Sequence, residues 1–177
     1  FDRMLATAHE KGIKIMMDLV VNHCSDEHEW FKKACEDPDG KHGNFFYLRN
    51  KKEGELPTNW RSYFGGPVWE DLPGTNKQYL HVFHKKQPDL NWDNPALRQE
   101  LYKAIRFWMD KGVGGFRLDV IDQIGKDPDL QVTGNGPRLH EYLRELSAAA
   151  FQEPGIVTVG EAWGADVERA KLYSNPD

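Results

Sequence analysis

Three short segments of this chain carry the apolar, β-branched density of buried parallel strands, and a helix pattern ending in glycine precedes each of them. The segments are 13–21 (IKIMMDLVV), 113–121 (VGGFRLDVI) and 156–160 (IVTVG). Gly12, Gly112 and Gly155 stand where a helix must turn into the next strand. Glycine accepts the left-handed conformation that such a turn demands. The pattern before the second strand is the best marked. Asn94 reads as its N-cap and Pro95 as its first residue, with Leu97, Leu101, Ala104, Ile105 and Trp108 along one stripe and charged residues opposite. A third helix follows Gly136-Pro137, with Leu139, Leu143, Leu146 and Ala150 spaced for burial, and a short fourth follows Asp166. Helices alternating with strands in this way predict an α/β fold of parallel strands joined by helical crossovers.

The spacing predicts an insertion. Strand starts at 113 and 156 lie 43 residues apart, whereas those at 13 and 113 lie 100 apart, an excess of 57. Structureless connections longer than about 15 residues are uncommon in compact domains, so a small subdomain is expected at 26–86. Nine of the 21 aromatic residues fall between Phe45 and Phe83, enough for a separate core. With 23 basic and 28 acidic side chains the chain is mildly acidic and has no basic stripe, which argues against a nucleic-acid clamp. The longest apolar runs span four residues, too short for a bilayer. Two cysteines, Cys24 and Cys35, make no disulfide framework and suit a reducing, cytoplasmic setting. The chain opens at Phe1 inside a helix pattern and closes at Pro176-Asp177 shortly after another, which reads as a segment of a longer protein.

Parallel α/β sheets place their chemistry at the carboxyl ends of their strands, and all three strands here end in polar groups. The first finishes Asp18-Leu-Val-Val-Asn22-His23, the second Arg117-Leu-Asp119, the third with Glu161. Alternation puts Arg117 and Asp119 on one face of the second strand and Phe116, Leu118 and Val120 on the other. A guanidinium beside Asp119 would keep that carboxylate ionised, while desolvation at the end of an apolar strand would raise the pKa of Glu161. One charged and one protonated carboxyl group about 5 to 5.5 Å apart is the equipment of a retaining glycosidase, and adjacent strands lie about 4.8 Å apart. Read alone, Arg117-x-Asp119 is more often the pattern of a structural ion pair than of a catalytic one, and a strand-end glutamate is usually a loop ligand or helix cap. The His23, Cys24, His28, Cys35 group fits no four-ligand zinc spacing. Gly112-x-Gly114-Gly115 precedes its strand, where no helix terminus can meet a phosphate.

Taken together, segments 18–23 (DLVVNH), 115–119 (GFRLD), 159–161 (VGE) and 87–91 (QPDLN) resemble the conserved regions of the α-amylase family of glycoside hydrolases, family 13, and they occur in that family's order. Segments 59–66 (NWRSYFGG), 135–137 (NGP) and 160–164 (GEAWG), with 87–91, resemble its oligo-1,6-glucosidase and dextran glucosidase (glucan 1,6-α-glucosidase) branch. The resemblance implies a partial (β/α)8 TIM barrel, strands 3 to 5, with a small inserted domain after strand 3. The expected parts are a barrel segment at 1–25, inserted domain B at 26–86 and a second barrel segment at 87–177.

Carried over position by position, the resemblance implies Asp119 as nucleophile and Glu161 as general acid/base. Arg117 would orient the nucleophile, and Asp18 and His23 would bind hydroxyls of the non-reducing glucose. Val120 matches the position that goes with α-1,6 preference. Among the aromatics Trp60, Tyr63, Phe64 and Trp69, core packing and sugar stacking are both open readings, with Phe64 and Trp163 the favoured sugar contacts. The family's third carboxylate, an Asp after a His, falls beyond this segment. Asn22 matches a calcium-ligating position of α-amylases that this branch does not generally use, so no cofactor or metal is expected within the segment; a calcium site would lie upstream. The implied activity is a retaining exo-α-glucosidase releasing glucose from α-1,6-linked isomalto-oligosaccharides or dextran fragments in carbohydrate metabolism, with an oligosaccharide as its partner and the isolated segment inactive. The rivals are a trehalose-6-phosphate hydrolase or α-1,4-glucosidase of the same family, and a non-catalytic glucosidase-like scaffold.

Overall fold

A computed structural model describes residues 1–174; Pro176-Asp177, where the sequence reading closed the chain, lie outside the described residues. In chain order the elements are α1 (Asp2–Glu10), β1 (Met16–Leu19), α2 (Glu29–Glu36), β2 (Leu48–Asn50), β3 (Trp69–Asp71), β4 (Lys77–Leu80), α3 (Pro95–Asp110), β5 (Gly115–Leu118), α4 (Leu139–Ala150), β6 (Val157–Gly160) and α5 (Val167–Ser174). Short 3₁₀ turns at Gly43–Phe45 and Ile121–Gly125 complete them. The residues divide into two units, one of 1–21, 98–126 and the part from 134 on, the other of 22–97 and 127–133.

The first unit is built on a parallel sheet in the order β1-β5-β6. Its register sets Asp18 opposite Arg117, Arg117 opposite Val159, and Leu118 opposite Gly160. Gly12 and Gly112, two residues past the ends of α1 and α3, take φ of +69° and +96°, so the chain leaves those two helices through the left-handed turn that glycine tolerates best. Gly155, at φ +81°, differs from the expectation: it lies five residues past the end of α4, whose cap Phe151 has φ -120°, and so turns the connection before β6 rather than the helix end. Asn94 Oδ1 accepts the Ala96 N–H at 2.9 Å and caps α3. The buried stripe of α3 differs from the expected one. Leu97, Leu101, Tyr102, Ile105 and Met109 are buried, Ala104 is exposed and Trp108 half-buried, because the helix turns its contact face toward the Tyr102 and Met109 side. In α4, Leu139, Tyr142, Leu146 and Ala150 are buried.

The expectation of burial fails at both outer strands, and β1, which ladders with β5 alone among the described residues, has no buried residue, Met16 being 45% exposed. Phe116 and Leu118 of the central β5 are buried, but β6 is exposed along its whole length, with Val157 and Val159 about half accessible. The reason is topological: β6 ladders with β5 on one side and, among the described residues, with no strand on the other.

The second unit has its own antiparallel sheet in the order β2-β4-β3 and its own core, in which Tyr47, Val68, Trp69 and Leu80 pack with Trp60 against them. Trp69 donates its indole N–H to Thr58 Oγ1 at 2.9 Å, so the buried ring keeps its polar atom paired. α2 starts at His28, whose Nδ1 accepts the Trp30 N–H, and buries Phe31 and Ala34. This unit is wider than the 26–86 stretch marked by spacing. The Cys24 N–H donates to Pro88 O, the Leu90 N–H donates to Asn22 O, and His23 bridges Asp89. These bonds fasten both flanks of the stretch to each other. Residues 127–133 join through reciprocal Asp127 and Val132 bonds and an Arg49–Asp129 ion pair at 2.7 Å.

Candidate active site

The polar ends of the three parallel strands converge on one side chain. Arg117 on β5 places Nη1 2.6 Å from Asp18 Oδ1 and 2.9 Å from Asp119 Oδ1, and Nη2 2.5 Å from Glu161 Oε2. Register produces this meeting. Asp18 and Arg117 are paired across β1 and β5, and the ladder continues past the strand ends, with the Asp119 N–H donating to Leu19 O and the Glu161 N–H to Leu118 O. Asp119 and Glu161 therefore leave adjacent strands at the same level and reach the same guanidinium. Arg117 is held charged more firmly than usual, first by the Asp18 hydrogen bond and then by that to Asp119.

Glu161 departs from the sequence expectation. Desolvation does act to raise its pKa, but the net shift is downward. The indole N–H of Trp163 donates to Oε1 at 2.9 Å and the Val120 N–H to Oε2 at 3.1 Å, and the Arg117 charge adds to them. Donors that favour the charged form outweigh burial here. The side chain keeps 28% of its accessible surface, so burial is the weaker influence. In this arrangement Glu161 stands as a carboxylate, the form in which it accepts a proton.

Val120 sits directly after Asp119 in left-handed backbone, φ 38° and ψ 47°, and is 3% exposed. For a β-branched residue this conformation is an outlier costing about 1–2 kcal/mol. Trp163 keeps 42% of its surface while holding Glu161. Behind this turn, Asn135, itself at φ 51°, donates from its N–H to Asp122 O and from Nδ2 to Asp122 Oδ2, and Tyr173 Oη donates to Asn135 Oδ1. The Asn135-Gly-Pro segment thus braces the 3₁₀ turn that follows the Asp119 strand. Burial raises the pKa of Asp122.

His23 and Phe64 belong to the second unit. The His23 ring lies between two amides, Nδ1 3.1 Å from Asn22 Nδ2 and Nε2 3.0 Å from Gln87 Nε2. Gln87 is itself fixed, its Oε1 accepting the His84 N–H. Phe83 lies 5.4 Å from the His23 ring, stacks on Tyr63 at 5.1 Å and stands 6.3 Å from Phe64. Tyr63 and Phe64 are exposed, Trp69 is buried and Trp60 packs against the core, so the four ambiguous aromatics divide two and two. Sequence reasoning passed over Gln87 as a partner of His23 and Phe83 as the ring joining the group. The 87–91 motif was the available signal for Gln87; Phe83 had none. Reading Arg117 as the partner of Asp119 alone also missed its bonds to Asp18 and Glu161. Among the described residues no three His, Cys, Asp or Glu side chains are grouped to hold a metal ion, and no helix is long and apolar enough to cross a membrane.

The family model for the alpha amylase catalytic domain matches residues 1–177. The chain is 52% identical over 176 residues to the glucan 1,6-alpha-glucosidase of Streptococcus dysgalactiae subsp. equisimilis, covering 99% of this chain and 32% of that protein. It is 46% identical over 191 residues to the oligo-1,6-glucosidase of Heyndrickxia coagulans, covering 99% and 34%. Among solved structures, the Bacillus licheniformis trehalose-6-phosphate hydrolase superposes with TM-score 0.94 at 40% identity, over 99% of this chain and 34% of that one. The trehalulose synthase MutB superposes with TM-score 0.90 at 40% identity, over 97% and 33%. The chain spans about a third of the length of the curated relatives it matches. By its motifs, its backbone and the family model alike, the chain belongs to the alpha-amylase family.

Proposed function

We propose that this chain is the strand 3 to strand 5 segment of a (β/α)8 barrel, with the second unit as its inserted domain B, in a retaining exo-α-glucosidase that releases glucose from α-1,6-linked isomalto-oligosaccharides or dextran fragments. The observation that carries the reading is the attachment of Asp119 and Glu161 to one guanidinium at the ends of adjacent parallel strands. Asp119 attacks the anomeric carbon while Glu161, having taken a proton, gives it to the leaving oxygen. Glu161 then draws a proton from water, whose oxygen displaces Asp119, and two inversions return the starting configuration. Arg117 orients Asp119. Asp18 and His23 bind hydroxyls of the glucose unit, and Phe64 and Trp163 offer exposed rings to sugar faces. Val120 favours the α-1,6 linkage. The relatives named for α-1,6 linkages support the substrate, and the unpaired cysteines support a cytoplasmic setting.

In the full-length enzyme, Asp119→Asn abolishes turnover of isomaltotriose, and near-normal activity of that variant would refute the mechanism. The isolated 177-residue chain releases no glucose from isomaltose. A second reading, hydrolysis of trehalose 6-phosphate, is favoured by the TM-score of 0.94 to such a hydrolase; relative rates on trehalose 6-phosphate and isomaltose separate the two.

A further inference from the structure

The residues at positive φ other than glycine, among those described, are Val120, Gln131 and Asn135. Asparagine tolerates that region; a β-branched valine does not do so readily. What the Val120 turn accomplishes is visible in its bonds. The Val120 N–H donates to Glu161 Oε2 at 3.1 Å, and the next N–H, that of Ile121, donates to the main-chain oxygen of the same Glu161 at 2.9 Å. In an extended strand successive N–H groups point to opposite sides, whereas a left-handed residue turns two of them toward one concavity. We propose that Val120 is a positioning residue for Glu161 and acts through its backbone, its left-handed turn setting two consecutive N–H groups on the side-chain and main-chain oxygens of that one residue. The proposal rests on Glu161 being the acid/base. It assigns Val120 a task distinct from any contact its side chain makes with substrate, consistent with a side chain that is already buried.

The other groups facing Glu161 are Trp163 on Oε1, Arg117 on Oε2 and Asp119 beside it, with Asp18 on Arg117. None of them is altered when the Val120 amide is replaced by an ester in the full-length enzyme, a change that removes the N–H and keeps the side chain. Losing one donor to the carboxylate raises its proton affinity about tenfold, which moves the alkaline limb of kcat/KM up by about one pH unit. Val120→Gly keeps the N–H and accepts the left-handed turn, so its alkaline limb stays where the parent's is. An ester enzyme with an unmoved limb overturns the proposal, and so does a glycine variant that shifts as far as the ester. If the ester enzyme does not fold, NMR of the parent decides. The Val120 amide proton follows the titration of Glu161 and loses that response in Glu161→Gln; an amide proton indifferent to that titration overturns the proposal. Full turnover by Glu161→Gln would instead refute the acid/base assignment, leaving the amide measurement to report on the geometry alone.

Discussion

Replacing Gly115 by alanine should split the parallel sheet at the point where it matters for chemistry. A Cβ on Gly115 would stand 2.1 Å from Val157 O, with the carbonyl carbon and nitrogen of Val157 also within 3.3 Å. Those are backbone atoms of the neighbouring strand, so no rotamer change relieves them. Restoring an ordinary contact of 3.4 Å separates β5 from β6 by about 1.3 Å. The Val157 N–H bond to Gly114 O, now 3.2 Å, then lies beyond hydrogen-bonding distance. Overpacking of this kind costs about 1–3 kcal/mol and each lost bond about 0.5–1.5 kcal/mol. Gly115→Ala should therefore cost about 2–5 kcal/mol, a large share of the 5–15 kcal/mol typical of a domain. A displacement of about 1 Å between Asp119 and Glu161 should also lower turnover about 100-fold. Gly160→Ala is the internal control. Its Cβ meets only the Ile121 Cγ2 methyl, at 3.3 Å, and with the reduced entropy of the unfolded chain the net change should stay below about 1 kcal/mol. Urea-denaturation midpoints of the two variants, with kcat/KM for each, test the argument. Equal midpoints, or a Gly115→Ala variant within about 1 kcal/mol of the parent, would refute it.

Leu139 is fully buried at the start of α4, and Leu139→Ala should cost about 2–5 kcal/mol in urea unfolding; a loss below about 1 kcal/mol would mean that the site collapses onto the vacated volume. Burial pushes the Cys24 thiol up from 9.0 to about 12, with Asp89 and Asp26 adding to the effect, so at pH 8 it should hold about a thousandfold less thiolate than a free cysteine and resist Ellman's reagent until the protein is unfolded. Rapid labelling in the native state would contradict this. Because folding lowers the pKa of Glu161, its charge supports the fold above its ordinary value of 4.5, and that support is lost as pH falls through the lower folded value. Between pH 6 and 3 the urea midpoint of the parent should accordingly decline more steeply than that of Glu161→Gln, and parallel curves would remove Glu161 from the acid response.

Local chemistry wrote much of this protein into its sequence. Glycines after helices, an asparagine-proline start and apolar β-branched runs specify elements through backbone sterics and capping, which act within a few residues, and Gly12, Gly112 and Asn94 do in the structure what they announce in the chain. The placing of Asp119 and Glu161 at strand ends was legible for the same reason, since alternation along a strand needs no knowledge of its neighbours. What depends on neighbours was not legible. The contact face of α3 was set by its packing partners, which left Ala104 outside and took in Tyr102 and Met109. The gathering of Asp18, Asp119 and Glu161 on Arg117 depends on register among three strands far apart in sequence. The charge state of Glu161 shows the difference most sharply. Sequence supplied an apolar strand and hence a desolvation argument; tertiary structure supplied Trp163, the Val120 amide and Arg117, and three converging donors outweigh the burial of a carboxyl group that still keeps part of its surface in water.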